Sequence, residues 1–201
     1  MIKLLISDIE KKTDKKVRKN CISIGFDTAE SHTGICILEV NDKEVIIKSL
    51  EKINSNPKED TVNRMEYFIS ALTKFKQELP KTSLYKIVII EDTWFDKNPE
   101  SLKHLTRFGT IVYIAFRKEC DYKCFMMPNT ARAKIGFNKK NEIEKSNIKA
   151  AIISKGKNKG KEKPINIKEC VQAYLKRVLT VDIPDNDEAD AFVLALAGVL
   201  L

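Results

Sequence analysis

Apolar and polar positions begin to alternate at Cys21. In CISIGFD, Ile22, Ile24 and Phe26 alternate with Ser23 and Gly25, a period of two that predicts a strand ending at Asp27. ICILEV reads as a second strand and DKEVIIKSLEKI as a third, joined at a hairpin turn through Asn41-Asp42. In TVNRMEYFISALTKFKQEL the period changes. Met65, Phe68, Leu72, Phe75 and Leu79 fall at helical spacing, as in an amphipathic helix lying on a sheet. KIVIIED is almost continuously apolar, the pattern of a central strand buried on both faces, and it carries an acid, Glu91, at its end. NPESLKHLTRFGTIVYIAFRKE predicts a long helix with Pro99 near its start. It bears two apolar stripes: Leu102, Leu105, Gly109, Val112 and Phe116, and beside it Phe108, Ile111 and Ala115. One stripe covers the sheet; the second is left for another subunit or a neighbouring helix. YKCFMM is a fifth strand, and PNTARAKIGF begins a helical turn. INIKECVQAYLKRVL places Ile167, Val171, Tyr174 and Val178 on one helix face, and AFVLALAGVLL reads as a buried terminal helix.

Two segments break this rhythm. Residues 1–20 read as a basic N-terminal arm, leaving residues 21–201 as the domain itself. Residues 138–164 are rich in Lys and Gly without a sustained apolar period, and read as a mobile basic insertion. At 201 residues, 43% hydrophobic and 32% charged, the chain suits one α/β domain with decorations. A net charge of +8 and a pI near 9.1 favour a polyanionic partner, although heavy use of Lys, Ile and Asn accounts for part of the excess. No run reaches the ~18–20 apolar residues of a membrane span, and the first twenty residues lack the features of a secretory signal. A cytoplasmic protein with no membrane partner is expected. The five scattered cysteines read as reduced core thiols. Cys120 and Cys124 are the only close pair, and no second pair completes a zinc set.

The candidate chemistry lies in the acids. Asp27 and Glu91 end hydrophobic strands, where sites collect in α/β sheets. Asp187 and Asp190 stand three apart at the start of the terminal helix and project from one face. Capping explains part of this cluster, since Asp185 or Asn186 can accept the orphan amides after Pro184. Capping does not require Asp190, which lies a turn further in. Four converging anions need divalent cations between them. Oxygen-only ligands select hard ions, Mg2+ first and Mn2+ as a substitute. Two such ions can activate water and stabilise the leaving oxygen of a phosphodiester.

These segments, in this order, resemble the RuvC family of Holliday-junction resolvases. SIGFDTAESHTGICIL is similar to the family's opening strand, acid, loop, Thr-Gly and second strand. IVIIEDTWFDKNPESLKHLTRFGTIVYIA resembles its second carboxylate, following aromatic and long helix, and DNDEADAFVLALA its closing Asp-x-x-Asp helix. PNTARAKIGF and INIKECVQAYL are similar to its basic segments, so the resemblance runs from about Cys21 to Leu201 without the insertion. It implies an RNase H-like α/β fold, a mixed five-stranded sheet flanked by helices. It implies a homodimeric, Mg2+-dependent endodeoxyribonuclease that resolves four-way DNA junctions, with two ions per active site. Asp27, Glu91, Asp187 and Asp190 would be the catalytic, metal-binding carboxylates. Trp94 and Phe95 would meet bases, and Arg132, Lys134 and Lys168 would meet DNA. Thr28-Ala29 departs from the family's Pro-Gly after the first acid, and the arm and insertion have no counterpart. Base usage and brevity suggest a phage or low-GC bacterial member. Three alternatives remain: a broader flap, branched-DNA or RNA–DNA hybrid nuclease; a non-catalytic junction-binding protein; and an actin-like phosphotransferase. The last needs two such domains and glycine-rich nucleotide motifs, and the chain has seven glycines.

Overall fold

The parity of the strand beginning at Cys21 organises the molecule. A computed structural model describes residues 2–92, 99–149 and 161–201; for 99–102, 104 and 105 it describes the backbone alone. In chain order the elements are β1 (Lys3–Leu5), α1 (Ile6–Thr13), β2 (Cys21–Asp27), β3 (His32–Val40), β4 (Glu44–Asn54) and α2 (Thr61–Glu78). There follow β5 (Tyr85–Glu91), α3 (Pro99–Ala115), β6 (Tyr122–Met126), α4 (Pro128–Lys134) and α5 (Lys139–Lys145). The chain ends with α6 (Ile167–Tyr174), extended by a π-helical turn (Leu175–Leu179), and α7 (Asn186–Val199).

The sheet order is β1-β4-β3-β2-β5-β6. The first four of these strands pair antiparallel, and β5 and β6 run parallel to β2. Odd residues of β2 and β5 (Cys21, Ile87, Ile89) join a core beneath α7, α6 and α4. Even residues (Ile22, Ile24, Phe26, Val88, Ile90) join a second core beneath α2 and α3. Since Asp27 and Glu91 are odd, alternation turns both towards α7.

The expected mixed α/β fold is the observed one, with corrections. Among the described residues the sheet has six strands, not five. The sixth comes from the segment read as an arm: Lys3–Leu5 pair with β4, and Leu4, Ile6, Ile9 and Val17 are buried in the α7-side core. Within residues 138–164, α5 is ordered against α6 through Glu142, whose carboxylate takes Arg177 at 2.6 Å; residues 150–160 lie outside the described ones. Neither apolar stripe of α3 is wholly free. Phe108, Val112 and Phe116 are buried under the sheet, while Ile111 and Ala115 pack partly against the same core beside α2. Phe68 meets Phe108 edge-on at 5.2 Å, so α2 is the neighbour that takes up the second stripe. Leu102 and Leu105 are among the residues whose side chains are not described. No helix among the described residues is long and apolar enough to cross a membrane.

Candidate active site

Helix α7 reaches the sheet because glycine lies under it. A Cβ on Gly25 of β2 would stand 2.1 Å from the Ala191 carbonyl oxygen, and one on Gly34 of β3 2.2 Å from that of Asp187. Any larger residue would push the helix off the sheet. With glycine at both places, the first turn of α7 settles beside the ends of β2 and β5. Asp185 is the N-cap: its Oδ1 accepts from the amides of Asp187 at 2.9 Å and Glu188 at 3.1 Å. Asp187 and Asp190 then point to the place that Asp27 and Glu91 reach from the strands.

Lys168 of α6 stands among these acids. Its Nζ lies 3.0 Å from Asp187, 3.5 Å from Asp190 and 3.9 Å from Asp27. Asp27 also shares a hydrogen bond with Glu91. Burial first, then that bond and the charges of Glu91 and Asp190, push Asp27 well above its ordinary value, with Lys168 opposing. Asp187 moves the other way: burial works against it, but hydrogen bonds from Lys52 and Lys168 hold it below the usual carboxylate range. Lys168 is raised, since the charges of Asp27, Asp187 and Asp190 together outweigh the burial that opposes them.

The donor set fits hard divalent cations. It is anionic and all oxygen, and it already draws an ammonium to its centre. As the side chains stand around Lys168, no group of three or more His, Cys, Asp or Glu among the described residues forms a ready metal cage.

The other candidates divide. Arg132 is only 8% exposed and donates to Asp190 at 2.9 Å, so it is an internal partner of a carboxylate rather than a surface presented to DNA. Its Nε is buried without a hydrogen-bond partner. Lys134 is not brought to the cluster. It donates to the Leu200 carbonyl at 2.8 Å, at the far end of α7 where Val17 bridges Leu200. That is a strand length, roughly 20 Å, from Asp27. Trp94 and Phe95 lie outside the described residues. One cation at the site went unnoticed in the sequence: Lys52 of β4 holds Asp185 at 3.0 Å and Asp187 at 2.7 Å. Alternation along β4 gives Lys52 the face of Leu50, which packs into the α7-side core.

No protein-family model matches the sequence, and neither does any curated protein. Solved structures do match. The chain superposes on Thermus thermophilus RuvC in complex with Holliday junction substrate with a TM-score of 0.58 and 14% identity, over 88% of this chain and 91% of that one. A second T. thermophilus RuvC structure gives 0.53 and 15%, over 88% and 92%. The chain has the RuvC fold. The crystal structure of the yeast mitochondrial Holliday junction resolvase gives 0.50 and 11%, over 94% of this chain and 83% of that one. At such identities the likeness is one of fold. Within this RuvC fold the carboxylate cluster occupies the end of the central strands.

Proposed function

We propose that the protein is a structure-selective endodeoxyribonuclease that resolves four-way DNA junctions by paired phosphodiester hydrolysis. The supporting observation is the meeting of Asp27, Asp187 and Asp190 around the ammonium of Lys168, with Glu91 beside Asp27, from two strands and one helix. All four would hold two divalent ions, Mg2+ in the first place and Mn2+ as a substitute. Bound there, such ions supply the activation of water and the stabilisation of the leaving oxygen that this hydrolysis needs. Arg132 orients Asp190 from within. Lys168, whose side chain is about a third exposed, stands at the mouth of the site in reach of an incoming phosphate. Basic residues beyond the site give affinity for the backbone rather than chemistry.

Paired incision needs two sites, hence a homodimer. Tyr113 and Ile114 on α3 remain exposed, and Phe125 of the edge strand β6 stacks on Tyr113 at 5.7 Å. Among the described residues, this apolar surface is what α3 offers a second copy. Resolvases of this fold from a bacterium and from yeast support the reading.

The test is incubation with an end-labelled synthetic four-way junction and Mg2+, mapping both strands. Symmetric nicks across the junction are expected. Equal or faster cutting of flaps or RNA–DNA hybrids would favour the broader nuclease, and binding with no cutting the non-catalytic alternative.

A further inference from the structure

We infer that Lys52 is a positioning residue of the carboxylate cluster, setting where Asp187 stands by clamping the first turn of α7 to β4. The meaning of the cluster rests on its being a nuclease site; the clamp does not. Asp27 pairs with Gly34 across β2 and β3, and Gly34 with Lys52 across β3 and β4. One row therefore crosses three strands, about 10 Å at ~4.8 Å per strand. That is the width of one helix. The first turn of α7 lies on this row, over the glycine, with the Asp187 carbonyl where a Gly34 Cβ would be.

The row is a cradle: a carboxyl group on one side, a glycine floor, and an ammonium on the other side. Asp185 divides its oxygens between two tasks. Oδ1 caps the helix, while Oδ2 takes Lys52 at 3.0 Å. The carboxylate that starts α7 thus also ties it to β4. Lys52 spends a second N–H on Asp187 at 2.7 Å, with its side chain only 22% exposed. Two of its three donors are committed internally, unlike those of a lysine held out for phosphate.

The test compares wild type with Lys52→Met, which keeps the stem and loses the charge, and Lys52→Arg, whose fork can reach both carboxylates. Amide exchange is followed by NMR without DNA or metal. At Asp187 and Glu188 it is expected to quicken roughly tenfold in Lys52→Met, with Leu194–Leu196 unchanged. Single-turnover nicking at saturating protein in Mg2+ should fall about 10- to 100-fold. Junction affinity in Ca2+ should hold within about twofold, since Lys52 does not serve the phosphates. Lys52→Arg should recover most of both losses. Wild-type exchange in Lys52→Met overturns the clamp. A loss of protection that spreads to Leu194–Leu196 and is not rescued by Arg also overturns it, leaving a merely structural lysine. Weaker binding with a shallower salt dependence and unaltered exchange overturns it too, in favour of a direct bond to phosphate. A wild type that nicks no junction refutes the nuclease reading, while the exchange arm still decides the clamp.

Discussion

Asp187 and Asp190 share one helical turn but have different surroundings. Asp190 is buried against the guanidinium of Arg132, whereas Asp187 is half-buried between two lysines. Replacing Asp190 with Asn leaves a nearly dry Arg132 without its anion, so a loss of about 1–3 kcal/mol is expected. Asp187→Asn leaves Lys52 on Asp185 and Lys168 near Asp190, so its melting temperature should stay close to wild type. Calorimetry of the two variants checks this, and equal losses would contradict the distinction. The placement of the four acids was legible because Asp27 and Glu91 close apolar runs and an i, i+3 pair exceeds what a cap needs. Lys52 was not, since its partner and the glycine opposite it are set by cross-strand register. Arg132 was expected at DNA from the resemblance alone, and nothing in PNTARAKIGF marks its burial against Asp190.

At the scale of elements, long periodic segments were readable and short ones were not. β1 has three residues, too few to show a period, and the buried Leu4, Ile6, Ile9 and Val17 are scattered among lysines. A dispensable arm could be removed without harm. In this fold, deleting residues 1–17 strips four buried apolar side chains, at about 1.5–3 kcal/mol each before entropy is counted. Thermal melts should show a fall of ~10 °C or more, and an unchanged melt would mean that β1 and α1 contribute little. Glu142 tests α5 in the same way. Burial works to raise it, but hydrogen bonds from Arg177 and Ser146 hold it below its ordinary 4.5. Because the folded value is the lower one, this stabilisation is fully present above 4.5 and is lost as pH falls through the folded value. Arg177→Met leaves the buried carboxylate unpaired, costing about 2–3 kcal/mol near neutral pH; the figure is discounted from a fully buried pair because Arg177 is partly exposed. The variant should then gain relative to wild type on acidification, a reversal of sign that denaturant titrations at neutral and acid pH will show.

The chain has a net charge of +8 yet gathers acids at the ends of β2, β5 and the first turn of α7, and affinity and chemistry should separate accordingly. Lys155, Lys157 and Lys159 fall in the segment 150–160. Deleting it, while sparing α5, should flatten the dependence of junction binding on salt by ~0.9 for each phosphate the segment neutralises. An unchanged slope would mean that the segment does not touch DNA. The overall architecture was readable because four motifs keep their order along the chain. The fate of the second α3 stripe was not, because one sequence cannot tell a neighbouring helix from a second subunit. The most direct measurement is single-turnover cleavage of a four-way junction by wild type, Asp27→Asn, Glu91→Gln, Asp187→Asn and Asp190→Asn, with junction affinity measured alongside in Ca2+. The expected result is symmetric nicking by wild type in Mg2+, a fall of orders of magnitude in every variant, and undiminished binding. Nicking that proceeds without a divalent ion, or at the wild-type rate in any of the four variants, would contradict a metal-binding, catalytic role for the cluster.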